Sequence, residues 1–99
     1  MFTTTDPQGR IVELTSECYT YHILVEHPDV SDVIEIEQTI RLPDCIAQDA
    51  VDPDRLVYYR MYQRQPQRWM LKVVTDQGEV VTAYRVNRLK TGETVIWRR

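Results

Sequence analysis

The sequence predicts an α+β fold in which two N-terminal helices pack on one face of an antiparallel sheet of four to five strands. Three observations point there. Helix-capping residues and helical apolar stripes are confined to the chain before Pro43, residues after Arg55 alternate in period two, and short Gly- and Asp-containing turns separate those runs. Ninety-nine residues, 42 % of them hydrophobic, make one domain spanning 1–99, large enough for one core and too small for two.

The first residues read as extended, and Asp6-Pro7-Gln8-Gly9 forms a turn into a short strand, Arg10 to Leu14. Ser16 caps a helix that runs to about Glu26, and Pro28 is compatible with its end. Ser31 is a second cap candidate, with Asp32 and Glu35 in the first turn of a helix from about Asp32 to Leu42. Val33, Ile36 and Ile40, with Val30, form its apolar stripe, and Pro43-Asp44 ends it. A short strand follows at Cys45 to Ala47, then an acidic loop over Asp49 to Asp54. Strands are predicted at Leu56 to Tyr62, Trp69 to Thr75 and Val80 to Val86, with turns at Gln63 to Gln67 and Asp76-Gln77-Gly78, and a last strand runs from Glu93 to Arg98.

Charge is segregated along this frame. Residues 1–54 carry 2 basic and 12 acidic side chains, residues 55–99 carry 10 basic and 3 acidic, so the net −3 hides halves of −10 and +7. A basic half interleaved with aromatics points to a polyanion. Alternation groups Tyr58, Arg60 and Tyr62 on one face of their strand and Val57, Tyr59 and Met61 on the other, which is the natural core face. If the neighbouring strands pair in register, one sheet face presents Tyr58, Arg60, Tyr62, Lys72, Thr82 and Tyr84. Such a face can stack bases and neutralise phosphates. The same residues also suit an ordinary exposed sheet face stabilised by cross-strand aromatic pairs.

No apolar run approaches the roughly 18 to 20 residues that span a membrane, and the N-terminus lacks the basic and apolar regions of a signal peptide. A cytoplasmic location without membrane contact is the default. Cys18 and Cys45 follow no metal-ligand spacing, so reduced buried thiols are expected, with neither a metal site nor a cofactor. His22 and His27 are five residues apart, and at about 100° per residue they would point about 140° apart on a regular helix. His22 reads as a half-buried histidine bonded to a neighbour, and His27 as a charge at a helix C-terminus.

The strings Val12-Glu13-Leu14-Thr15, Tyr21-His22-Ile23, Glu26-His27-Pro28-Asp29, Gln38-Thr39-Ile40, Pro43-Asp44-Cys45-Ile46, Tyr58-Tyr59-Arg60, Leu71-Lys72-Val73-Val74 and Val81-Thr82-Ala83-Tyr84 add a resemblance. Their order, over nearly the whole chain, resembles the phage branch of the barnase-EndoU-colicin-RelE-like nuclease superfamily. Two positions depart from its pattern: Glu26 stands where many relatives have Arg, and Asp29 replaces the usual Glu. The resemblance implies N-terminal helices on a curved antiparallel sheet and a metal-independent, toxin-like endoribonuclease. Carried over by position, His22, His27, Arg60, Lys72 and Thr82 are the catalytic candidates. Lys90 and Trp97 resemble the family's ending, and with Tyr58, Tyr62 and Tyr84 they complete the RNA-binding set.

In that chemistry RNA supplies its own nucleophile, the 2′-hydroxyl, and the product carries a 2′,3′-cyclic phosphate. A histidine with a pKa near ~6.5 can serve as base or acid at neutral pH. Arg60 and Lys72 would stabilise charge, while Thr82, with Tyr84, would bond a phosphate oxygen. Two other readings stand beside this one. The fold could bind RNA or protein without cutting, or it could be held silent by an antitoxin or other protein partner on its tyrosine-rich face.

Overall fold

The computed structural model describes residues 1–30 and 32–99. Seven strands, β1 (Phe2–Thr5), β2 (Ile11–Leu14), β3 (Cys45–Gln48), β4 (Arg55–Gln63), β5 (Trp69–Asp76), β6 (Glu79–Val86) and β7 (Thr94–Arg98), form one sheet in the order β1-β2-β6-β5-β4-β3-β7. The helices are α1, made of the consecutive pieces Ser16–Cys18, Tyr19–Ile23 and Leu24–Glu26, and α2 (Val33–Arg41).

This corrects the predicted fold class, two helices layered on four to five antiparallel strands. The sheet has seven strands and is mixed, because β2 runs parallel to β6, with Glu13 opposite Glu79. The helices do not form a layer over it. The Thr-rich start pairs with β2 as a hairpin, Phe2 opposite Leu14, which lengthens the sheet beyond what the scattered apolar residues of the first half suggest. The sheet then curls: α2 packs on β4 and β5 and also on β1, at the far edge. Asp6, just past β1, accepts a 2.7 Å hydrogen bond from the Tyr58 hydroxyl on β4. The result is a half-barrel with α2 inside it.

Each helix has a local cause. The Thr15 side chain, rather than Ser16, caps α1 by accepting from Cys18 N–H at 3.1 Å. Asp32, expected in the first turn, instead caps α2 by accepting from Ile34 N–H at 2.8 Å, and the expected cap, Ser31, lies outside the described residues. Helix α2 buries Ile36, Thr39 and Ile40 against the concave face, where the Thr39 hydroxyl returns to Glu35 C=O at 2.8 Å. Helix α1 instead runs along β6, and the Cys18 thiol donates to Val80 C=O at 3.1 Å. Edge carbonyls that would otherwise await a strand are thereby covered.

Both faces of the sheet are packed. The concave core joins Leu14, Ile23, Ile36, Ile46, Tyr58, Leu71 and Val73. The convex face has a second cluster of Cys45, Ala47, Val57, Tyr59, Met70 and Val74, against which Leu89 and Val95 pack. Its cover follows from topology. The chain leaves β6 and must reach β7 beyond β3, so residues 87–93 cross the intervening strands as a strap. Lys90 N–H meets the Tyr59 hydroxyl at 3.3 Å.

Candidate functional site

Register decides which side chains meet. Tyr59, Lys72 and Tyr84 lie directly opposite one another across β4, β5 and β6, as do Tyr58, Val73 and Ala83, and Arg60, Leu71 and Arg85. Residues opposite one another share a face. The six-residue platform expected from alternation therefore divides: Tyr58, Arg60 and Tyr62 belong to the concave side, Lys72, Thr82 and Tyr84 to the convex side. The expectation assumed one solvated face. With the strap in place Tyr58 and Tyr59 are both 0 % exposed, so polarity no longer distinguishes them.

On the concave side the candidates have structural partners. Burial, reinforced by its bond to the Asp6 carboxylate, pushes the Tyr58 hydroxyl pKa up, and no ring surface is left for a base. Arg60 donates to Leu42 C=O at 2.5 Å and lies 5.6 Å from the Tyr62 ring centre. Tyr62 stacks on Trp69 at 5.5 Å, and the Arg85 guanidinium sits 4.1 Å from the Trp69 ring centre. Trp97, opposite Ile46, packs against the concave core. Lys90 is exposed on the strap.

The convex row is different. Lys72 Nζ lies 5.5 Å from the ring centres of both Tyr59 and Tyr84 and 3.1 Å from Glu93 Oε2. The Lys72 and Glu93 side chains are only 5 % and 2 % exposed. Burial alone would lower the Lys72 pKa, but hydrogen bonding to Glu93 and Tyr59 outweighs it and holds the ammonium above its ordinary value. The Tyr59 hydroxyl donates to the other Glu93 oxygen, and burial, followed by that carboxylate, pushes its pKa up to about 12. Nearby on the same face, opposite Val74, Thr82 has a buried Oγ1 without a hydrogen-bond partner among the described residues.

The histidines join this row from α1. His27 stacks on Tyr84, ring centres 5.2 Å apart and planes at 27°, and His22 lies 6.4 Å from His27. The divergence expected on a regular helix is absent for two reasons. The Tyr19–Ile23 piece is a π turn, in which Leu24 N–H reaches Tyr19 C=O, five residues back, and His27 leaves helical geometry at φ −133° and ψ 65°. His22 Nε2 also lies 3.4 Å from Glu26 Oε2. Of the five catalytic candidates, His27 and Lys72 meet the Tyr84 ring, His22 lies against His27, Thr82 shares the convex face, and Arg60 lies across the sheet from them.

Tyr59 and Glu93 are the members of the site that the sequence reading did not single out. Glu93 did carry a signal, as one of only three acids in a half with ten bases. Among the described residues no group of three or more His, Cys, Asp or Glu side chains is placed to hold a metal, and no helix is long and apolar enough to cross a membrane. Comparisons with protein-family models, with curated proteins and with solved structures find no match to this chain.

Proposed function

We propose that the chain is a metal-independent endoribonuclease whose site is the His22–His27–Tyr84 cluster beside Thr82 and Lys72. The observation that carries this reading is the 6.4 Å approach of the two imidazoles next to the Tyr84 ring. One imidazole takes the proton from the 2′-hydroxyl as its oxygen bonds to phosphorus. The other, as imidazolium, gives a proton to the 5′-oxygen as the P–O5′ bond breaks. The products are a 2′,3′-cyclic phosphate and a 5′-hydroxyl. The Lys72 charge acts from beneath Tyr84, and the Thr82 hydroxyl, buried below the same face, does not touch the substrate. Arg60 has no part in it. The order of motifs shared with the phage branch of the barnase-EndoU-colicin-RelE-like superfamily supports the same reading.

End-labelled RNA incubated with the protein in EDTA tests it. Cleavage leaving a cyclic phosphate is expected, with a loss of about 10²–10⁴-fold in the folded His22→Ala or His27→Ala variant, the usual range for a general acid or base. Uncut RNA, or cutting indifferent to both substitutions, refutes it. A second reading, RNA binding without cutting, is favoured by the Lys72–Glu93 pair, which already neutralises the cation nearest Tyr84.

A further inference from the structure

We infer that the end of the sheet where β4, β6 and β7 finish is a docking surface for single-stranded RNA; as the surface that delivers substrate, it builds on the nuclease reading. Antiparallel pairing sets Gln63 opposite Trp69 and Met70 opposite Val86, while Arg98 and Tyr59 both lie opposite Cys45. The β4–β5 turn, the start of the strap and the chain's last residues therefore meet at one end. These segments hold most of the basic residues of the second half.

Three open depressions there run into one another through Arg68. The largest, about 560 Å³, is lined by Gln63, Gln67, Trp69, Arg85 and Asn87 besides Arg68. A second, about 450 Å³, adds Arg88. The third, about 320 Å³, adds Arg64, Arg98 and Arg99 and reaches Tyr59, on which Lys72 rests. Two acids temper the charge, since Asp44 holds Arg99 at 2.9 Å and Asp29 holds Arg85 at 3.5 Å. Arg64, Arg68, Arg88 and Arg98 make no ion pair among the described residues. Four free guanidiniums along a continuous trough match the repeating charge of a phosphate backbone. Amide side chains in its wall can bond the edges of unpaired bases, which a duplex keeps turned inward. The Trp69 ring does not contribute stacking, because Tyr62 and Arg85 already occupy it.

The test uses the full chain and a labelled 2′-O-methyl oligoribonucleotide, which cannot be cut by its own 2′-oxygen, so binding is read independently of cleavage. Fluorescence anisotropy against salt should give saturable binding with a log–log slope of about −2.8, four phosphates at roughly −0.7 each. Arg64→Gln with Arg68→Gln should flatten the slope to about −1.4, and the four-residue Gln variant should abolish its salt dependence. Arg41→Gln, on α2, should change nothing. A folded four-residue variant that binds like the wild type overturns the proposal, as does a wild-type chain that prefers the duplex or binds polyglutamate but not the oligonucleotide. Binding without cleavage would leave this surface standing and remove only the nuclease reading.

Discussion

Replacing Glu93 with Gln would test the strap and the convex site together. The substitution keeps the shape and an acceptor for the Tyr59 hydroxyl, but it leaves the Lys72 ammonium, 5 % exposed, facing two tyrosine rings with no counter-charge. Breaking a buried pair from one side costs about 3–5 kcal/mol, a large share of the roughly 5–15 kcal/mol that holds a domain together. At about 4–8 °C per kcal/mol for a chain this small, the melting temperature should fall by at least ~12 °C. Urea unfolding followed by circular dichroism measures the loss directly. Lys72→Met with Glu93→Gln removes the stranded charge and should recover most of the loss, which keeps the test usable if the single variant does not fold. Because the folded Lys72 pKa is raised, the pair stabilises fully below the ordinary lysine pKa, and that stability is lost as pH rises through the folded value. A loss below about 1 kcal/mol at unchanged m-value, typical of an exposed pair, would refute the argument that the strap seals this contact.

Asp6 should govern acid stability. Burial would raise its pKa, but bonds from the Tyr58 hydroxyl, Arg10 and Gln8 N–H outweigh this and hold it below the ordinary carboxylate value, so its stabilisation is complete above about pH 4 and lost as pH falls toward the folded pKa. Asp6→Asn should cost about 2–3 kcal/mol at neutral pH, as for bonds to a charged group, and should flatten the fall of urea midpoints below about pH 4. Gly78→Ala should cost at least ~1–2 kcal/mol in the same assay, since φ there is +84° and the new Cβ would stand 3.0 Å from Ile11 C=O. Burial raises the Cys18 and Cys45 thiol pKa values, so a thiol reagent at neutral pH should label both slowly in the native protein and at once in urea.

Most element positions were legible because their causes are local. Alternation in Leu56 to Tyr62 and Trp69 to Thr75 placed β4 and β5 to within a residue or two, and Asp76-Gln77-Gly78 marked a turn whose Gln77 and Gly78 both have positive φ. The fold class failed where causes are distant. Phe2-Thr3-Thr4-Thr5 has only β propensity to offer until β2 lies beside it, and nothing local makes β2 parallel to β6. The burial of Tyr58 and Tyr59 together likewise depends on a strap some thirty residues downstream, so which tyrosine faces the core cannot be read from their strand alone.

The same dependence on distant chain explains why the candidate site was half legible. Lys72, Thr82 and Tyr84 were placed on one face by residue type, because Val73 and Ala83 suit the core, and the register shift between Val74 and Thr75 is what sets Tyr84 opposite Lys72. Arg60 was misplaced because β4 joins β5 through a longer loop, with a register irregularity between Met61 and Gln63 that alternation does not reveal. Shifting a strand by one residue exchanges its entire side-chain set between faces. It was this exchange that removed Arg60 from the row and put Tyr59 in its place. The histidines moved the other way, since a regular helix would have separated them and the π turn, with the break at His27, brings their ring centres within 6.4 Å, His27 stacked on Tyr84. A cation was thus replaced by an aromatic ring while a second imidazole was gained, and the row's remaining cation, Lys72, is already paired with Glu93. Tyr59 borders the depression that Arg64, Arg68, Arg98 and Arg99 line. The proposed grip on RNA and the proposed cut are therefore separable by substitution, at Arg64 and Arg68 for the one and at His22 and His27 for the other.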